Sequence, residues 1–314
     1  MKRISTFLPS LLLSVVLTLV ILGGSLLVVS DINITGGKAV EIVRENNVGD
    51  KIYSELEKHW KSRYYTTGVP AEVYLDAVSP EWLEELAEDG IYQGFGMLDG
   101  TNLSSEISVT IPSILNAYGL KRNQELEDSI SGFFSSYADE NGIEKDEAYE
   151  DSVNRAISSA FNVINSNVDV YKFTALKEHG VIKKAAKAYG LLFKGMLAAG
   201  AAALVLVLLL MLVNRKSVFT VLYWFGISCI VSGVLGAAPC VYLLASDYFS
   251  SFSIKQAQIY TAYTASMSSF TAAFMATMIA VTVVGIAMVI LYGVIWSIKK
   301  QKDKAAPLPE EKVN

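Results

Sequence analysis

Two histidines, two cysteines and a surplus of carboxylates limit the chemistry this chain can do. His59 precedes Trp60, Arg63, Tyr64 and Tyr65 on an expected helix end, and His179 stands alone. Without H-x-x-x-H, H-E-x-x-H or C-x-x-C spacing, no zinc set can be assembled from neighbouring residues. The nucleophile-elbow and Walker A patterns are also missing. Cys229 and Cys240 lie eleven residues apart in one apolar run. They share a helix face but are separated by ~16 Å of rise, whereas a disulfide needs Cα atoms about 5.5 Å apart. Both therefore read as small packing residues.

Three acidic or glycine-rich stretches could imitate binding motifs. Asp139-Glu-Asn-Gly-Ile-Glu-Lys-Asp-Glu-Ala-Tyr-Glu150 has calcium-loop residues at positions 1, 3 and 12. But Glu144 stands where the turn needs Gly, and Ile143 supplies no ligand oxygen. The segment reads instead as a helix–turn–helix link with Asn141-Gly142 at the turn. Glu81, Glu84, Glu85, Glu88 and Asp89 form an acidic stripe at helical spacing, read as a solvated face. The run from Gly90 through Gly94 and Gly96 to Gly100 lacks phosphate-loop spacing. It reads as a loop with left-handed positions that ends a helix. The sequons Asn33-Ile-Thr35 and Asn102-Leu-Ser104 matter only in a glycosylating host. No catalytic, cofactor-binding or metal-ligating residue is assigned, so the chain is expected to be non-enzymatic and to need no cofactor.

The elements that carry these residues follow from hydropathy. Four apolar runs, at 7–30, 191–213, 218–244 and 270–296, are charge-free at their centres. Each is long enough to cross ~30 Å of hydrocarbon, which takes roughly 20 helical residues. Backbone groups in lipid must bond internally, so each run reads as a helix. The fold class expected is an all-α membrane protein of four transmembrane helices, with a mostly α-helical extracytoplasmic domain, residues 31–190, inserted between the first two.

Charge sets the orientation. Residues 31–190 carry 15 Lys and Arg against 27 Asp and Glu, a net charge of −12. The N-terminus (1–6), the link 214–217 and the tail 297–314 together carry nine basic and three acidic residues. Basic short segments stay cytoplasmic while a long domain can translocate. Both termini are therefore expected inside a cell membrane, with residues 31–190 and the stub 245–269 outside. Tyr223, Trp224, Tyr292 and Trp296 would mark the inner interface, and Tyr189, Tyr242 and Tyr248 the outer one. The first apolar core, about 24 residues long, exceeds a signal peptide's usual 7–15, so it reads as an uncleaved anchor. The outer segment contains no Cys, which leans towards a bacterial surface.

Helical periodicity dominates residues 31–190. Ile52, Leu56 and Trp60 suggest one helix, and Leu126, Ile130, Phe133, Phe134 and Tyr137 another. Val153, Ala156, Ile157, Ala160, Phe161 and Ile164 define a third. Ser79-Pro80-Glu81 is a start signal, with a capping hydroxyl and Pro at the first helical position; that helix is expected to end near Gly90. Another start lies at Pro70. Ile107, Val109 and Ile111 fit a strand as well as a helix, and Pro112 argues against an uninterrupted helix. Five to seven helices are expected, the last around 174–189 and running directly into the second span. The tail after Lys300 is charged and reads as disordered.

No ionisable side chain lies mid-span, which disfavours pumps, proton-coupled carriers and charged pores; Lys194 sits near one end of the second run. Gly195, Ala199 and Ala203, then Ser232 and Gly236, then Ala272, Ala276 and Ala280 recur every four residues. Such seams support close helix packing within the chain, and they also permit a homo-oligomer. In the stub, Tyr248, Phe249, Phe252, Tyr260 and Tyr263 suggest that the fourth span extends outward as a helix and forms an aromatic collar with the outer domain.

The order of one span, a large outer domain and three spans resembles FtsX- and MacB-type permeases. The basic link running from Arg215 into an aromatic third span (Tyr223-Trp-Phe-Gly226, then Ser232-Gly233) resembles uncharacterised four-span membrane proteins of Gram-positive bacteria. The first resemblance implies a permease-type subunit of a transport complex, and the second implies no activity. The large exposed domain and minimal cytoplasmic parts favour a different expectation, a protein whose outer domain binds or senses a surface partner or ligand. Its expected partners are the lipid bilayer and another membrane or surface protein; nucleic acid is not one.

Overall fold

The computed structural model describes residues 4–99, 120–215 and 217–305. Every element among them is helical. The order is α1 (Ile4–Asn33), α2 (Gly36–Glu45), α3 (Val48–Thr67), α4 (Glu72–Leu75), α5 (Pro80–Asp99) and α6 (Leu120–Asn141). Then come α7 (Glu147–Val168), α8 (Phe173–Glu178), α9 (Val181–Val213), α10 (Thr220–Ala245), a 3-10 turn at Tyr248–Ser251 and α11 (Ala257–Ala305). The segment Ile107–Ile111, the second sequon at Asn102, Gly100 and the tail from residue 306 lie outside the described residues.

The helices α1, α9, α10 and α11 are each long and apolar enough to cross a membrane. The chain divides into two compact units. One comprises residues 1–33, 192–248 and 269–314; the other comprises 34–191 and 249–268.

In the first unit, α1 and α10 meet along a polar seam that hydropathy does not reveal. The buried Ser14 and Ser228 hydroxyls lie 2.7 Å apart. Ser228 also donates to the Ser14 carbonyl at 3.0 Å, and just beyond the end of α9 the Asn214 amide donates to the Ser10 hydroxyl at 2.9 Å. In an apolar medium such bonds satisfy groups that would otherwise be costly to bury. The small residues act through close approach. A Cβ on Gly226 would lie 2.9 Å from the Gly285 carbonyl oxygen, and one on Gly285 2.7 Å from that of Gly226, so α10 and α11 touch backbone to backbone. Across α1 and α9 the approach is less close: Gly24 faces the Ala199 methyl and Gly195 the Leu27 side chain. Tyr223 and Tyr292 have ring centroids 5.5 Å apart, which brings together the span ends they were expected to mark. Cys229 and Cys240 are both free and buried.

The second unit has its own core. Val43, Val48, Ile52, Leu56, Leu83, Leu126, Ile130 and Ile164 are fully buried, and Ala262 of α11 joins them. Side-chain caps set two helix starts, and the one at Ser79 is the start the sequence suggests. Ser79 Oγ accepts from the Trp82 amide at 3.3 Å, and Asp146 Oδ1 from the Tyr149 amide at 3.0 Å. Gly142, at φ 64°, turns the chain between α6 and α7, and Asp139 pairs with Lys145 at 2.8 Å across that turn. The extension of the fourth span is helical from Ala257. It enters this unit through polar contacts: Gln258 Nε2 donates to Asn167 Oδ1 at 2.7 Å, and the Tyr263 hydroxyl to the Tyr171 carbonyl at 2.8 Å.

Two expectations fail for stated reasons. The helix begun at Pro80 does not end at Gly90 but continues to Asp99, so Gly90, Gly94 and Gly96 are helical and not a loop. Gly94 is required there by space: the Phe173 ring packs where its Cβ would be. The helix expected around 174–189 is broken at Gly180, which adopts φ 68°, a left-handed conformation that closes α8 before α9 starts. From Val181 onward the chain is one helix through Val213.

Opposite outcomes are expected for two glycine substitutions. Gly94→Ala should destabilise the protein by about 1–3 kcal/mol through overpacking against Phe173. Gly132→Ala, in the open interior of α6 with nothing near its Cβ, should stabilise by about 0.5–1 kcal/mol. Thermal melts of the purified variants read the two signs directly.

Candidate functional site

Two grooves in the helical unit bring polar side chains together. The first collects the acidic stripe. Glu81, Glu84, Glu85 and Glu88 of α5 line it with Arg44 of α2 and Asp50 of α3. The stripe is not uniformly solvated as expected. Glu88 is buried and receives both arms of the Arg44 guanidinium, Nε to Oε1 and Nη2 to Oε2, each at 2.5 Å. This fork-on-fork pairing is what allows a carboxylate to be buried on an otherwise acidic face. Burial pushes the Glu84 carboxyl above the ordinary range and the charge of Glu88 adds to it, although a hydrogen bond from the Gly49 backbone opposes both. Among the described residues no cluster of His, Cys, Asp and Glu has the makings of a metal site.

The second groove, of about 330 Å³, is built by α3, α4, α6 and α7. Its floor is the stacked pair Trp60 and Tyr74, with ring centroids 4.9 Å apart and planes 15° from parallel. Both rings are buried, and burial raises the Tyr74 phenol above its ordinary value. Phe134 of α6 supplies a wall. The space exists because α7 offers only short side chains there: Ala156, Ser159, Ala160 and Val163 fall at i, i+3, i+4 and i+7, one helix face. The rim carries His59 and Arg63, one turn apart on α3.

Among the described residues no carboxylate lines this groove. Burial lowers the His59 imidazole below its ordinary value, and the neighbouring Arg63 charge lowers it further. The ring is therefore neutral at pH 7, with one N–H to donate and one lone pair to accept. An apolar, concave site with a few converging polar groups is the usual form of a small-molecule pocket, and this volume lies at the small end of the 300–1,000 Å³ range.

The sequence had placed His59, Trp60 and Arg63 on one helix end. The structure puts all three in the groove, while Tyr64 and Tyr65 face solvent in edge contact with each other. His179 is exposed. Tyr74, Phe134 and Ser159 were not anticipated as neighbours of His59. The one local signal was the row of small residues on α7, where its apolar stripe thins. Comparison with family models, curated proteins and solved structures returns no match.

The lowered His59 value has a sign for stability. The unfolded chain binds the proton more readily than the folded one, so stability is lost as pH falls through the ordinary imidazole range near ~6.5. The His59 C–H resonances should titrate below that value by NMR. In melts across about pH 5 to 7.5, His59→Gln should lose less stability on acidification than the parent.

Proposed function

We propose that this is a non-enzymatic membrane protein whose helical domain, exposed outside the cell, binds a small ligand or surface partner. The observation that carries the reading is the aromatic-floored groove with its histidine and arginine rim. Two features support binding over catalysis. His59 and Ser159 both line the groove, yet the structure gives no hydrogen bond between them, and among the described residues no carboxylate orients the His59 ring as a triad base would need. The absence of ionisable side chains at the centres of the spans and the short link between the second and third favour a scaffold over a conduction path. The asymmetry of short basic loops supports an outward domain with both termini inside.

The arrangement of one span, domain and three spans favours a second reading, a permease-type subunit. Affinity purification of the full chain in mild detergent separates the two. The binding reading expects recovery alone or with a membrane or surface protein. Stoichiometric recovery of an ATPase would contradict it.

A further inference from the structure

The geometry points to a small amphipathic carboxylate as the ligand of the α3–α7 groove, its head held at Arg63 and His59 and its apolar body lying over Trp60 and Tyr74. This assignment rests on the binding reading above and specifies the ligand's chemistry.

The argument begins with the cations of α3. Lys58 pairs with Glu55 at 3.0 Å and Lys61 with Glu57 at 2.6 Å, each one helical turn away. Arg63 has no such neighbour: the positions three and four residues from it are His59, Trp60, Thr66 and Thr67. No ion pair to its guanidinium occurs among the described residues, in a segment of 27 Asp and Glu against 15 Lys and Arg. Where acids are in excess, a cation without one, at the mouth of a groove that no acid among the described residues lines, leaves a positive site in a negative surround. A planar fork of N–H donors is the group best matched to a carboxylate, and binding there takes two parallel hydrogen bonds.

His59 adds a neutral donor within a turn of that fork. Its ring nitrogens have no protein partner among the described residues, so one N–H is available to the same anion. The floor sets the rest of the ligand. Trp60 and Tyr74 are 4% and 7% exposed, and with Ala156 and Ala160 they give the groove a mostly apolar face, beside the Ser159 and Thr67 hydroxyls. A fully polar anion would leave that surface unfilled. A volume of about 330 Å³ admits one ring or a short acyl chain and excludes a polymer.

The test uses the full chain in lipid nanodiscs, with empty nanodiscs subtracted, and fluorine NMR of 4-fluorophenylacetate. Its neutral isostere 4-fluorophenylacetamide and inorganic phosphate serve as comparisons. The carboxylate should broaden saturably and bind about tenfold more tightly than the amide. Arg63→Gln should abolish that preference without shifting the melting temperature, and Ser159→Phe should abolish binding of both by filling the groove. Equal affinity for acid and amide, or an undiminished preference in Arg63→Gln, would overturn the carboxylate assignment and leave groove binding standing. Displacement of the acid by an equal concentration of phosphate would overturn it too, because the apolar body would then contribute nothing. Binding of neither fluorinated probe to the parent would overturn the groove reading itself.

Discussion

The hydrogen bond from Gln258 to Asn167 is the contact on which the helical unit depends. Both side chains are buried, and the bond joins the first turn of α11 to the last turn of α7, 91 residues earlier. Breaking such a pair strands a buried amide, at a cost of about 1–3 kcal/mol. Around it, the Tyr171 hydroxyl lies 2.7 Å from that of Ser266, Tyr263 bonds the Tyr171 carbonyl, and Ala262 sits in the core. The domain is therefore not complete at residue 191; it closes only when residues 249–268 arrive. Between the two segments lie α9 and α10, each long enough to span a membrane. Two crossings would return the chain to the side it left, which agrees with one compact unit built from both segments.

The groove follows from a second economy of the same unit. Where α7 faces the core it carries Ala160, Ile164 and Val168, with Ile157 packed against them. Toward the groove its side chains shorten to Ala156, Ser159 and Ala160, and the gap remains over Trp60 and Tyr74. A gap lined this way is not made good by collapse, because stacked rings hold its floor and helices hold its walls. The acidic groove differs in kind. There Glu88 meets Arg44, so its strongest cation is already committed to a protein partner.

Much of the architecture was legible in the chain because it depends on short-range rules. Charge-free length marks the spans, period marks the helices, and Ser79-Pro80 marks a helix start. What was missed depends on distant residues. Gly94 looks like punctuation until Phe173 is seen against it, 79 positions later in the chain. Glu88 looks solvated until Arg44 is found on another helix. The seam of Ser10, Ser14 and Ser228 is invisible to hydropathy, since isolated hydroxyls scarcely alter an apolar run. His59, Trp60 and Arg63 could be grouped by spacing alone, but Tyr74, Phe134 and Ser159 come from three other helices, and no local pattern links them.

Residues 34–191 and 249–268 form one compact unit, and the central proposal is that this unit lies outside the cell. Single cysteines tested with a membrane-impermeant maleimide on intact cells address it directly, because Cys229 and Cys240 are buried. Glu140→Cys and Ser253→Cys, at exposed positions in the two segments, should both label from outside, and Ser217→Cys, in the link between α9 and α10, only after permeabilisation. Labelling of one of the first two without the other, or of Ser217→Cys in intact cells, would contradict the account.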